Sequence, residues 1–195
     1  MKRGKKVCIV GGGPAGICTV KHCVAAGLEV IAFEKSSQVG GTWVYTDDVG
    51  KDKYGLEIHS SMYQGLMTNL PKEIMTFPDF PYPYDDNSYV SSEKILNYIN
   101  LYADKFNLRD NIKFEHEVIR IKPLLDETWE VCVRNLPTNE FETLIFDFVM
   151  VCNGFSVPLI PKIDGQELFK GIQIHSHSYR KAEIFSNQKV LVIGE

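Results

Sequence analysis

Apolar residues are distributed along the chain in three ways, and each predicts a different element. Val7-Cys8-Ile9-Val10 and Phe148-Val149-Met150-Val151-Cys152 are short continuous runs without polar alternation. Strands buried on both faces of a parallel sheet read this way. Leu28 to Phe33 is a further short strand, ended by the acidic Glu34. Ile95, Ile99, Tyr102 and Phe106 recur at helical spacing and give one apolar face. Ser91 or Ser92 is placed to cap that helix, Glu93 sits in its first turn, and it ends near Asn107. From Ile112 to Ile121, Trp129 to Val133 and Phe141 to Phe146 the pattern changes to alternation, with the turn-like Asn135-Leu136-Pro137-Thr138-Asn139 between the last two.

The order of these elements predicts an α/β fold. Its parts are a mainly parallel sheet with helices on both faces, and an antiparallel β-meander inserted before the last strand. Near the end, Lys189-Val190-Leu191-Val192-Ile193-Gly194 repeats the grammar of Lys6 to Gly11, a buried strand running into glycine. A second fold of the same kind is expected to start there.

What joins the first strand to the next helix carries chemistry. Gly11-Gly12-Gly13-Pro14-Ala15-Gly16 fits G-x-G-x-x-G directly after a strand and at the opening of a helix. Gly11 permits the tight turn, Gly13 lets backbone approach a pyrophosphate, and Gly16 lets helix and strand pack closely. Pro14 wastes no hydrogen bond, because an amide there has no intrahelical partner. The free N–H groups and positive dipole end of the helix suit a diphosphate. Glu34 follows Gly16 by 18 residues, where a carboxylate accepts from ribose hydroxyls and repels a 2′-phosphate. The site is therefore expected to hold FAD or NAD rather than NADP.

Ser36 to about Tyr89 lacks strong periodicity, and loops this long tend to be functional. Within it, Phe77-Pro78-Asp79-Phe80-Pro81-Tyr82-Pro83-Tyr84 is expected to pin the loop to the body through its aromatic rings, with no chemistry of its own.

Composition narrows the classes. A chain of 195 residues with 44% hydrophobic content is long and apolar enough for a proper core. A formal charge of −4 argues against nucleic acid or an anionic membrane surface as partner. Met1-Lys2-Arg3-Gly4-Lys5-Lys6 resembles a charged leader, but the apolar run behind it is too short, and no segment is long enough to span a membrane. The five cysteines include no C-x-x-C, and there is no N-x-[ST] sequon, so buried free thiols in a reducing, cytosolic-facing compartment are expected. His175-Ser176-His177 lacks a nearby acidic or cysteine partner, and no metal is assigned.

Four landmarks in order resemble the amino-terminal part of the flavin-containing monooxygenases, the group that oxygenates soft nitrogen and sulfur atoms. They are Gly11 to Gly16 with Glu34; Gly40-Gly41-Thr42-Trp43; Thr68-Asn69 leading into Pro71-Lys72-Glu73 and Phe77-Pro78; and F-x-G-x-x-x-H-x-x-x-Y at Phe169, Gly171, His175 and Tyr179. The resemblance covers essentially the whole chain. It implies FAD and NADPH as cofactors, with dioxygen and a nucleophilic amine or sulfide as substrates. Reduced flavin in that family carries oxygen as a C4a-hydroperoxide until the nucleophile attacks. By matching positions, Gly11, Gly12, Gly13, Pro14, Ala15 and Gly16 would hold the FAD pyrophosphate and Glu34 its ribose. Thr42 and Trp43 would contact the flavin side, and Thr68 with the catalytic Asn69 would lie beside the flavin ring and NADP. The alternatives to those roles are a plain core aromatic at Trp43 and an Asn-x-Pro turn residue at Asn69.

Three departures qualify the match. Gly-Gly-Thr-Trp is also typical of Baeyer–Villiger monooxygenases, whereas Tyr179 is not; Phe155 follows Asn153-Gly154 where the family commonly has His. The NADPH phosphate loop would lie beyond Glu195. The resemblance thus implies an FAD-binding portion over 1–165, a motif-bearing linker over 166–188, and the first strand of an NADP-binding domain over 189–195. It also implies a fragment inactive by itself. Competing readings are a Baeyer–Villiger-type enzyme and a non-catalytic FAD-binding fragment; a disulfide reductase would need a close cysteine pair. A homo-oligomer remains open, as does a location in the cytoplasm or, given a carboxy-terminal anchor, on the cytosolic face of the endoplasmic reticulum.

Overall fold

The computed structural model describes residues 4–83, 86–155 and 158–194. Tyr84 of the aromatic run, Met1 to Arg3 and Glu195 lie outside them. Four parallel strands, β1 (Lys6–Val10), β2 (Glu29–Glu34), β3 (Ile112–Phe114) and β7 (Phe148–Val151), form one sheet in the order β3-β2-β1-β7. The antiparallel meander of β4 (His116–Pro123), β5 (Trp129–Asn135) and β6 (Glu140–Phe146) stands between β3 and β7 in the chain, where the alternation predicted it. Two α-helices among the described residues complete the fold, α1 (Pro14–Ala25) and α2 (Ser92–Lys105).

Successive side chains of a strand point to opposite faces, and this sorts the core into two layers. Val7, Ile9, Val30 and Ala32 pack with Ile17 and Val20 of α1 and with Ile95, Ile99 and Tyr102 of α2. Cys8 and Phe33 pack on the other face against Val131, Val133 and Phe146 of the meander. Phe33 meets Phe146 edge to face at 6.4 Å. The expectation of helices on both faces is therefore corrected. Both helices lie on one side, and the meander presents an apolar inner face that covers the other.

Three further expectations change. The run from Ile112 to Ile121 is two strands in two different sheets, because Glu115 adopts φ 55° and turns the chain between them. Among the described residues β7 pairs only with β1 and is an edge strand, so Phe148, Met150 and Val151 are exposed despite their continuous apolar run. Residues 189–194 form no strand. A strand needs a ladder partner to satisfy its backbone, none is present among the described residues, and Val190 to Ile193 are exposed.

The long excursion is tied down as expected. Phe77 stacks on Tyr102 at 4.0 Å, Phe80 packs against Tyr98, Tyr102 and Phe106, and Tyr82 stacks on Tyr98 at 4.9 Å. Farther along, the Thr68 amide donates to the Val90 carbonyl (2.9 Å) and the Ser92 amide to that of Leu66 (3.0 Å). Those two bonds fasten Thr68 and Asn69 to the start of α2. Ser91 occupies the N-cap position, its side chain making no capping bond to a helix amide, and α2 gives way to Asn107 in the left-handed region.

Candidate dinucleotide site

The site forms where β1, β2 and β7 end together. Gly11 turns the chain at φ 107°, and its amide donates to the Phe33 carbonyl at 2.8 Å. A Cβ on Gly11 would stand 2.5 Å from the Cys152 carbonyl oxygen, and one on Gly16 only 1.9 Å from that of Gly11. Both positions admit hydrogen alone. At Gly13 the close neighbour is Gly41, whose Cα would lie 3.5 Å from an added Cβ, while the Gly40 amide donates to the Gly12 carbonyl at 3.1 Å. The second glycine pair thus packs directly on the first.

α1 opens at Pro14 with extended Gly13 before it, no capping side chain and no acid in its first turn. Ile17 N–H bonds the Gly13 carbonyl (3.0 Å), which leaves the amides of Ala15 and Gly16 without an acceptor among the described residues. Beside them Glu34, only 7% exposed, accepts from the Gly12 amide at 2.5 Å and from the Ser36 amide at 2.7 Å. An ionised carboxylate has about four acceptor positions, so two donors leave room for more. His59 lies across the same crevice, its ring 3.1 Å from where a Cβ on Gly154 would be. Burial pushes the His59 imidazole below its ordinary value; the charges of Lys35 and His177 add to this and Glu34 opposes it.

The other candidate residues converge on a neighbouring cavity of about 320 Å³. Thr42, Trp43, Thr68 and Asn69 line it, together with Ser61, Met62, Tyr63, Leu66 and Met67. Trp43 both packs against the helix-side core and faces the cavity, so the two readings of that residue are compatible. The Thr68 hydroxyl accepts from the Val90 amide (3.2 Å) and is buried, whereas Asn69 is exposed and its side chain makes no hydrogen bond among the described residues. A second cavity of about 470 Å³ shares Ser61, Tyr63 and Leu66 and adds Pro158, His175, His177 and Tyr179. The spaced motif has local causes: the Phe169 ring folds over Gly171, where a Cβ would be 2.6 Å away. His175 Nδ1 accepts from the His177 amide at 3.1 Å, and Tyr179 packs on Tyr63 at 5.2 Å.

Sequence reasoning did not single out His59, Ser60, Ser61 or Arg180. They stand in aperiodic loops, and no spacing marked them. The cysteines are all free thiols, but only Cys8 is buried; Cys18, Cys23, Cys132 and Cys152 are partly exposed, which corrects the expectation of buried thiols.

A parallel sheet, a glycine turn into a helix and an acid closing the second strand define a Rossmann-type dinucleotide-binding α/β fold. More narrowly, the chain belongs to the flavin-binding monooxygenase-like family, whose model matches residues 4–195. It is 39% identical over 203 residues to the flavin-containing monooxygenase FMO GS-OX3 of Arabidopsis thaliana, covering 97% of this chain and 44% of that protein. To the senecionine N-oxygenase of Tyria jacobaeae it is 37% identical, covering 97% of this chain and 41% of the relative. Among solved structures, the S-allyl-L-cysteine S-oxygenase of Allium sativum superposes with a TM-score of 0.85 at 32% identity, over 94% of this chain and 44% of that one. Cyclohexanone monooxygenase shares the fold at a TM-score of 0.60 and 23% identity. The chain spans less than half the length of the curated relatives it matches.

Proposed function

We propose that this chain supplies the FAD-binding part of a monooxygenase that uses FAD, NADPH and dioxygen to oxygenate a soft nitrogen or sulfur nucleophile. The observation that carries the reading is the contiguity of the glycine turn and Glu34 with the cavity of Thr42, Trp43, Thr68 and Asn69, joined where Gly41 packs on Gly13. The residues present fit the group. The unpaired amides of Ala15 and Gly16 would meet the diphosphate, and the spare acceptor positions of Glu34 the ribose hydroxyls. Trp43 would bound the ring system, and the Asn69 amide, free to donate and to accept, would orient polar atoms at its edge. Bound flavin supplies the redox and oxygen chemistry; the protein's part is to position it and to exclude water.

Relatives named as S- and N-oxygenases support nitrogen and sulfur substrates over ketones. We assign 1–165 to FAD binding, 166–188 to a linker and 189–195 to the start of an NADP-binding unit. The free thiols favour a reducing, cytosolic-facing compartment, and no helix among the described residues is long and apolar enough to cross a membrane. Titration of the purified chain with FAD, followed by quenching of flavin fluorescence, is expected to show saturable one-to-one binding. NADPH oxidation with a thioether, a tertiary amine and a ketone is expected to be slow or absent for this chain alone. No flavin binding, or lactone formation from the ketone, would refute the assignment.

A further inference from the structure

Arg180 is 6% exposed, yet it makes no ion pair among the described residues. Among the described residues its guanidinium donates only to main-chain carbonyls: Nε to Asp48 at 3.1 Å, Nη1 to His177 at 2.7 Å and to Tyr179 at 3.1 Å, and Nη2 to Ser60 at 3.0 Å. Its own carbonyl accepts from the Gln64 amide at 2.8 Å. Removing a guanidinium from water is costly unless its donors are met, and here four are met from three separate segments. The planar fork reaches acceptors in several directions at once, which a point-like ammonium does not.

The carbonyl of Ser60 that receives Nη2 belongs to a residue itself 7% exposed. The Ser60 hydroxyl donates to the Thr42 carbonyl at 2.8 Å and accepts from the Met62 amide at 3.2 Å. A continuous hydrogen-bonded path therefore runs from Arg180 through Ser60 to the Gly41-Thr42-Trp43 turn. His177 strengthens the same seam, its Nε2 lying 3.1 Å from the His59 carbonyl. The segments so joined carry the walls of both cavities.

We propose that Arg180, acting through Ser60, is a positioning residue that fixes the Thr42–Trp43 wall of the flavin cavity and couples it to the His175–Tyr179 segment. This rests on the flavin reading of the cavity. Arg180 touches neither cavity by itself in this role; it sets the geometry of the residues that do.

The test begins without cofactor. Hydrogen–deuterium exchange on the full chain, native and as Arg180→Gln and Arg180→Lys, would follow peptides spanning 41–48, 58–66 and 175–182, with 6–10 and 29–34 as references. The expected result is exchange faster by roughly tenfold in the three loop peptides with the sheet peptides unchanged. Unchanged loops, or a uniform rise including the sheet, would overturn the proposal; should the Gln variant not fold, the Lys variant alone decides. FAD titration then follows. Weaker binding by about tenfold in Arg180→Lys supports the proposal; equal binding overturns it. Native protein that binds no FAD refutes the flavin reading and with it the cavity role, while the exchange pattern separately judges the hydrogen-bonded clamp.

Discussion

Glu34→Gln perturbs the site at a single atom. In the native protein the carboxylate receives the Gly12 amide at 2.5 Å and the Ser36 amide at 2.7 Å, one on each oxygen. Glutamine keeps one acceptor oxygen and turns an NH₂ group toward the other donor. One charge-assisted bond, ordinarily contributing about 1.5–3 kcal/mol, becomes neutral, and one amide is left facing a donor at a further cost of about 1–3 kcal/mol. The side chain is almost fully buried, so water cannot easily fill in. The loss should be about 2–4 kcal/mol in all. For a chain of this size each kcal/mol lowers Tm by roughly 2–4 °C, so the variant should melt roughly 5–15 °C lower. Flavin affinity should fall by more than about tenfold, because ribose hydroxyls would then meet a neutral and partly donating group. Chemical denaturation followed by far-UV circular dichroism, and flavin fluorescence quenching on the folded variant, would measure both. Stability within about 0.5 kcal/mol of native, the range of an indifferent surface change, together with unchanged flavin affinity would refute the reasoning.

Gly16→Ala would ordinarily stabilise a helix by roughly 1 kcal/mol, but here the methyl meets the Gly11 carbonyl oxygen at 1.9 Å. A net destabilisation of about 1–3 kcal/mol is expected in a urea melt, and a gain would show that α1 and β1 are not packed this closely. Cys8 is fully buried, and burial pushes its thiol up to about 12. At pH 8 it should resist maleimide until the protein is denatured, while the partly exposed cysteines label first; early labelling of the Cys8 peptide by mass spectrometry would contradict this. His59 has a folded pKa below its unfolded value, so the unfolded chain binds the proton more readily. Its neutral form imposes no penalty above about pH 6.5, and stability should fall as pH drops below that value. The depressed carboxylates Glu73, Glu115 and Asp126 lose their contributions only at lower pH. His59→Gln should flatten the stability profile between pH 7 and 5, and an unchanged slope would assign the effect elsewhere.

The strand–glycine–helix unit, the acid that closes β2 and the three strands of the meander were all readable from the chain, because each is written in local periodicity or in the spacing of a turn. Gly11 and Gly16 were readable for a stronger reason: their neighbours in space are also near in sequence, or lie at the end of a strand whose own pattern was clear. Tertiary structure alone decided which layer covers which face. The apolar runs of β1 and β2 mark two buried sides, but whether a helix or a sheet lies on each depends on contacts with residues a hundred positions away, such as Phe33 with Phe146. A continuous apolar run suggested that β7 is buried, yet its position at the sheet edge is a property of pairing, which composition does not encode. Glu115 splits one alternating run between two sheets through a backbone angle that its residue type does not announce. Arg180 and Ser60 left no trace in the pattern, since a buried polar side chain that bonds to main-chain groups of distant loops has neither period nor motif. Their place was set when the loops around the cavity came together, because only there do four carbonyls face one guanidinium.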